Sequence, residues 1–330
     1  MLGGIVYPYG LAMAAAVAAA LALAAVSFRR AGLSGDTLSR FAALAVPMGF
    51  LGGRLGYCLA ALDWVRQQGL LFFFQFSRGG YMLYGALVGG MLAALIAAKL
   101  SGEKAAKLLD ALSVPALVLV ALGRLAEGLA QQGYGWSIED WFYEDSGMSL
   151  FTLDDPSFFC RLPFGVPDMY DSYHWTVFIF EAIVACALAV IVYRAAVRRS
   201  GGRVALALLL YAATQELCES LRQDAVLRWG FVRINQVLGA VVIVALLALC
   251  YGLSSPRKPG KLALGAGCAV LGALLITAME FALEKKISAI EWVPMDVCYV
   301  IMTCGCLLMI WAVLPLWRVA FGSPSGSKEA

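Results

Sequence analysis

The sequence predicts an all-α integral membrane protein, and three observations carry that prediction. Hydrophobic residues make up 62% of the chain and charged residues only 14%, the mean hydropathy is +0.80, and the apolar residues gather into nine runs. Each run is close to the roughly 20 residues that a helix needs to cross a hydrocarbon core. The runs cover about residues 8 to 27, 41 to 62, 82 to 100, 108 to 130, 175 to 194, 203 to 220, 235 to 253, 261 to 282 and 296 to 317.

The first run is Ala-rich, has no positive charge before it and is followed by Arg29-Arg30, the polarity of an anchored helix and not of a cleaved signal. The second and third are rich in glycine. GFLGGRLGY places Gly49, Gly52, Gly53 and Gly56 around Arg54, and RGGYMLYGALVGG continues the series from Gly79 to Gly90, a spacing that predicts close helix packing. The fourth run ends in LGRLAEGLAQQGYGW, so Arg124 and Glu127 stand near the end of an otherwise apolar helix. The connection from Gln131 to His174 is too long for a plain loop and is expected to pack as an outer cap. Its end, Tyr173-His174-Trp175, holds the sole histidine and reads as part of an interfacial aromatic belt. The sixth run ends in QELCESLR, the seventh opens on NQVLG (235 to 239), and two further apolar runs follow.

The loops alternate in charge. Arg29, Arg30 and Arg40 follow the first run, Lys99, Lys104 and Lys107 the third, Arg194, Arg198, Arg199 and Arg203 the fifth, and Arg257, Lys258 and Lys261 the seventh. The positive-inside rule puts these loops in the cytoplasm. The 131 to 174 connection, with Glu139, Asp140, Glu144, Asp145, Asp154, Asp155, Asp168 and Asp171 against Arg161, then lies outside. The expected topology is N-terminus outside and C-terminus inside. The net charge of +3 argues against a nucleic-acid partner. The nine cysteines sit mostly in apolar segments, where a thiol is a small packing residue, and Cys304 with Cys306 has the wrong spacing for a metal pair. No metal, disulfide or cofactor is predicted.

With each helix direction assigned, the depth of a polar residue follows from a rise of about 1.5 Å per residue. Tyr9, Arg54, Tyr84, Arg124, Gln215, Glu219 and Arg222 then share one depth, toward the outer end of five helices. Arg124 and Glu127 are spaced i, i+3, and Gln215, Glu219 and Arg222 i, i+4, i+7, so each set shares one helix face. Arginines snorkelling to lipid headgroups need no such convergence. A polar chamber does, and guanidinium groups suit one that receives a phosphate, here that of an anionic phospholipid. A transporter would instead show midplane charges and a repeat, and neither is found.

Six motifs in order, Tyr9-Gly10-Leu11, GGRLGY (52 to 57), GGYMLYGA (79 to 86), Asp110 with Gly123-Arg124, ELCESLR (216 to 222) and NQVLG, resemble bacterial prolipoprotein diacylglyceryl transferases over about residues 1 to 253. Residues 254 to 330, with the last two helices, read as an appended unit. The resemblance implies a multi-pass plasma-membrane enzyme that moves diacylglyceryl from phosphatidylglycerol onto the lipobox cysteine of a prolipoprotein. In that pattern Arg124 stabilises the phosphate, Tyr9 and Arg54 line the lipid site, Glu219 and Arg222 orient it, and Gly135 matches a family glycine. Asp110 matches as well, but its place at the cytoplasmic end favours a structural role. Departures are equally specific. The family's histidine is Tyr84 here, an asparagine is Glu127, a glutamate is Gln132, and an arginine four residues before Glu219 is Gln215. Tyrosine, with an ordinary pKa near 10, is no base at neutral pH, whereas histidine near 6.5 is one. Glu127 is the nearby residue that can take over. The alternative is a catalytically silent relative that binds phospholipid or lipoprotein precursors.

Overall fold

The computed structural model describes residues 7–142, 149–150, 153, 155–223, 227–229 and 232–322. Among them, nine helices are long and apolar enough to cross a membrane: α1 (Pro8–Ala31), α2 (Gly35–Ala60), α3 (Leu83–Ser101), α4 (Ala105–Glu127), α5 (Val177–Arg194), α6 (Gly202–Leu221), α7 (Ile234–Leu253), α8 (Pro259–Leu283) and α9 (Met295–Phe321). Their ends follow ordinary capping rules. Pro8 opens α1, and Gly32 closes it in the left-handed conformation with its N–H returned to the last turn. The Ser34 hydroxyl accepts from the Thr37 N–H at the start of α2.

The glycines of α2 and α3 bring two backbones together. A Cβ at Gly52 would stand 2.5 Å from the Gly85 carbonyl oxygen, and one at Gly89 would collide with the carbonyl of Met48. Gly89→Ala is therefore expected to destabilise the α2–α3 pair by about 1–3 kcal/mol, the usual range for overpacking, read as a lower Tm in detergent. An unchanged Tm would remove close backbone approach as the reason for these glycines.

One buried cluster joins α1 to α4 through Phe28, Phe41, Ala93, Ala97 and Leu108. A larger one runs from α4 through α9. At its centre lies α6, whose apolar window is 72% buried. α9 lies along α6 from end to end: Trp317 Nε1 donates to the Gly202 carbonyl at 2.8 Å, and the Tyr299 hydroxyl donates to the Ser220 carbonyl at 3.1 Å. The last two helices thus share the core of the preceding ones.

The described residues of the connection before α5 form local structure of their own and cover one end of the bundle. They contain a short helix, Ile138–Phe142, and a two-stranded antiparallel ribbon of β1 (Gly165–Pro167) and β2 (Tyr173–Trp175). Trp136 donates to the Tyr299 hydroxyl at 2.7 Å, and Trp141 stacks on the Tyr299 ring, so the cap rests on α9. The acidic residues Glu144, Asp145 and Asp154 lie outside the described residues. At the other end of the bundle Asp110 accepts from the Gly201 and Val204 N–H groups, 2.7 and 3.0 Å away, and so caps α6. This is the structural use expected from its depth.

Candidate active site

The capped end of the bundle gathers four charges into a closed ring. The last turn of α4 presents Arg124 and Glu127 on one face, with Arg124 Nη1 2.8 Å from Glu127 Oε1. The first turns of α5 bring Glu181, whose Oε2 lies 3.2 Å from Arg124 Nε. Arg222, just past α6, closes the circuit with Nη1 3.0 Å from Glu127 Oε2 and 3.3 Å from Glu181 Oε2. Two arginines and two glutamates balance to zero. The remaining Arg124 nitrogen, Nη2, donates to Gln215 Oε1 at 3.3 Å. The ring is nearly dry, since the side chains of Arg124 and Glu181 are 9% and 0% exposed. Removing one member of such a ring would strand its partner's charge in a low-dielectric site.

A second layer holds α6 against this ring. Both oxygens of Glu219 accept from Asn235 Nδ2 at 3.1 Å. Arg233 donates to the carbonyls of Glu219 and Arg222, and its Nε lies 3.5 Å from Glu280 of α8. Glu280 also accepts from Gln236 at 2.8 Å. Tyr9, at the start of α1, lies within electrostatic reach of Glu127, Arg124 and Arg222.

The sequence of the chain matches a family model described as prolipoprotein diacylglyceryl transferase over residues 2–252. The chain belongs to the prolipoprotein diacylglyceryl transferase family. It is 28% identical over 261 residues to a phosphatidylglycerol–prolipoprotein diacylglyceryl transferase of Symbiobacterium thermophilum, covering 76% of this chain and 90% of that relative. An enzyme of the same name from Listeria innocua is 25% identical over 245 residues, 73% and 83% of the two chains. One from Enterococcus faecalis is 24% identical over 250 residues, 74% and 85%. The family match ends before α8 begins at Pro259.

Two of the positions at which this diacylglyceryl transferase family member departs from the expected pattern, Glu127 and Gln215, touch Arg124 directly. Another, Gln132, donates its backbone N–H to the Glu127 carbonyl at 3.1 Å, and the fourth, Tyr84, stands at the start of α3 with its ring 6.4 Å from that of Tyr211 and within electrostatic reach of Glu219 and Arg124. Among the described residues no group bonds to its buried hydroxyl. Gly135 packs where no side chain fits: a Cβ would stand 2.7 Å from Val177 Cγ2 and 3.0 Å from the Leu221 carbonyl oxygen.

Arg54 is placed apart from the ring. It is fully buried, and its guanidinium donates to the carbonyls of Phe72, Phe73, Gln75, Gly79 and Gly80, so its contacts tie down the segment between α2 and α3. His174 belongs to the cap, with Nδ1 3.0 Å from the Gly135 carbonyl and Nε2 3.4 Å from Asp168. The Tyr170 backbone N–H, helped by that of Ser172 and by His174, holds the Asp168 carboxyl below the usual carboxylate range.

The sequence motifs include Asn235, in NQVLG, without assigning it a role, and they leave out Glu181, Arg233 and Glu280. The depth rule contains the signal for Glu181: it lies in the first turns of α5, at the same end of the bundle as Arg124.

Proposed function

We propose that the protein transfers diacylglyceryl from phosphatidylglycerol to the lipobox cysteine of a prolipoprotein, at the outer face of a bacterial plasma membrane. The carbon–oxygen bond between diacylglycerol and phosphate breaks, a carbon–sulfur bond forms, and glycerol phosphate leaves. Residues 1 to 253 carry this chemistry, and 254 to 330 form an added unit. The observation that supports the reading best is the ring of Arg124, Glu127, Arg222 and Glu181. It sets buried Arg124 beside half-buried Arg222 at the chamber depth, bridged by two carboxylates.

A phosphate is a chemical substitute for those carboxylates. Its two unesterified oxygens accept the same paired N–H donors and share one negative charge, as a carboxylate does, and a second charge develops on the phosphate as the carbon–oxygen bond breaks. When lipid phosphate enters, it displaces Glu127 from Arg124 and Arg222, while Glu181, which touches both, keeps the arginines together. Glu127 then has two oxygens free to take the thiol proton as sulfur attacks. The arginines stabilise the departing phosphate. Tyr9 lines the lipid entrance and Glu219, held by Asn235, fixes the end of α6. Arg54 supports the chamber through the 72–80 segment that it ties down. The test is direct: purified protein with phosphatidylglycerol and a lipobox peptide should yield the diacylglyceryl mass increment on the peptide cysteine.

One observation favours the silent alternative. Each nitrogen of the Arg124 guanidinium already has an acidic or amide neighbour, so phosphate must compete for it. A protein that binds phosphatidylglycerol without transfer would match that state.

The reading also requires the ring to face outward. A single cysteine at Ser149, in a background without the nine native cysteines, is expected to react with a membrane-impermeant maleimide in intact cells. Labelling only after cell opening would reverse every depth assignment.

A further inference from the structure

A second polar site lies between α6, α7 and α8, where a cavity of about 150 Å³ is walled by apolar residues including Val237, Ala240, Ala273 and Ile276. Three carboxylates also line it, Glu216, Glu280 and Glu284, and no lysine or arginine does. Two of them have cations behind them: Arg233 is 3.5 Å from Glu280, Arg228 is 2.6 Å from Glu284, and Lys286 pairs with Glu284 as well. Among the described residues no cation pairs with Glu216. It is 4% exposed, and among the described residues nothing donates to its Oε1. Gly239 makes room for that oxygen, since a Cβ there would stand 2.5 Å from it. An unpaired carboxylate at this depth costs several kcal/mol unless a cation or donor reaches it.

We propose that this cavity binds a primary ammonium group, with Glu216 as its main partner and Glu280 and Thr277 completing the acceptor set. An ammonium offers three N–H donors on a compact charge, which suits acceptors spread over separate helices. Among the described residues no three acidic, cysteine or histidine side chains are arranged to hold a metal ion. The volume fits a headgroup amine and not a whole lipid. Beyond the mouth, Val237, Val241 and Val244 follow one face of α7, and Val270 and Leu274 continue the Thr277 face of α8. Their exposed side chains form an apolar track on which acyl chains can lie. An aminophospholipid therefore satisfies both parts of the site, and a water-soluble amine satisfies only the first. The α8 wall lies beyond the family match, whereas Glu216 and Gln236 lie within it, and Arg233 links Glu280 to the carbonyls of Glu219 and Arg222.

The test uses the purified full-length protein in detergent, with bound lipid counted by native mass spectrometry. Phosphatidylethanolamine and phosphatidylcholine of identical acyl chains are compared, because the second headgroup has no N–H donor. Wild type should retain the first about tenfold better, the scale of one charge-assisted hydrogen bond. Glu216→Gln should abolish that preference. Ala240→Leu, which fills the cavity and leaves the carboxylates in place, should do the same and decides the matter alone if Glu216→Gln fails to fold. Displacement by free ethanolamine at comparable concentration would support the ammonium site and assign it to a soluble amine. Equal retention of the two lipids, or a preference that survives both variants, would overturn the proposal. Diacylglyceryl transfer is not the readout, so a silent transferase leaves this result interpretable.

Discussion

Arg124→Ala is expected to reduce diacylglyceryl transfer by about a hundredfold or more, the usual loss when one preorganised donor to a developing anion is removed. Phosphatidylglycerol binding should fall with it. The same substitution leaves Glu127 and Glu181 sharing Arg222 alone, so the ring passes from neutral to a net charge of minus one in a buried site. Breaking a buried pair in this way costs about 3–5 kcal/mol, and a lower Tm should accompany the lost activity. Arg124→Lys separates the two effects. It restores the charge and most of the stability, but a single ammonium cannot span Glu127, Glu181 and Gln215 as the guanidinium does. Transfer by the lysine variant should therefore recover only in part. Unchanged lipid binding by folded Arg124→Ala would remove this arginine from the phosphate site.

The other large effect comes from changing Glu127, alone or with two more of the four departures. Glu127→Gln should bring transfer to background while sparing phosphatidylglycerol binding, because it removes the proton acceptor and keeps the side chain's shape and one acceptor oxygen. If the wild type is instead silent, Tyr84→His, Glu127→Asn and Gln215→Arg together should produce thioether product. The structure gives the physical ground. Gln215 already touches Arg124, so an arginine there joins the ring, and with Glu127 gone three arginines face Glu181. The local balance rises from zero to plus two where phosphate leaves. Histidine at position 84 would meanwhile supply a group that exchanges a proton near neutral pH. Wild-type transfer that survives Glu127→Gln would exclude both versions and direct attention to His174, to water or to the phosphate itself.

Much of the fold was legible because a membrane helix advertises itself by length and apolarity, and all nine runs correspond to α1 to α9. Boundaries shifted where side chains intervened. The fifth run was read from 175, but Trp175 pairs in β2 and the Thr176 hydroxyl bonds to the carbonyls of Pro163 and Phe164, which delays α5 to Val177. The short helix Leu62–Gln68 has no comparable length signal. Depth brought Arg124, Glu127, Gln215 and Arg222 together correctly because rise along an axis is additive. Depth says nothing about azimuth, however. Arg54 was assigned a level, but the direction of its side chain depends on carbonyls 18 to 26 residues later in the chain. Glu181 is hidden for the opposite reason: a lone acid early in an apolar helix has no local spacing partner, and its partners lie on α4 and beyond α6. Contacts from α8, such as Glu280 to Gln236, belong to a segment with no motif to read.

The end-to-end seam between α6 and α9 bears on the order in which the protein becomes competent. A membrane protein is delivered to the bilayer from its N-terminus, so every residue of the charge ring is already inserted when the ribosome still holds α8 and α9. Until α9 arrives, the Ser220 carbonyl lacks the Tyr299 hydroxyl, the cap tryptophans lack the ring they rest on, and Gly202 lacks Trp317. A chain stopped at residue 253 would contain the whole family match and still present one flank of its central helix to lipid. Insertion of the α8–α9 hairpin is thus the step that covers this flank of α6 and gives the cap its seat.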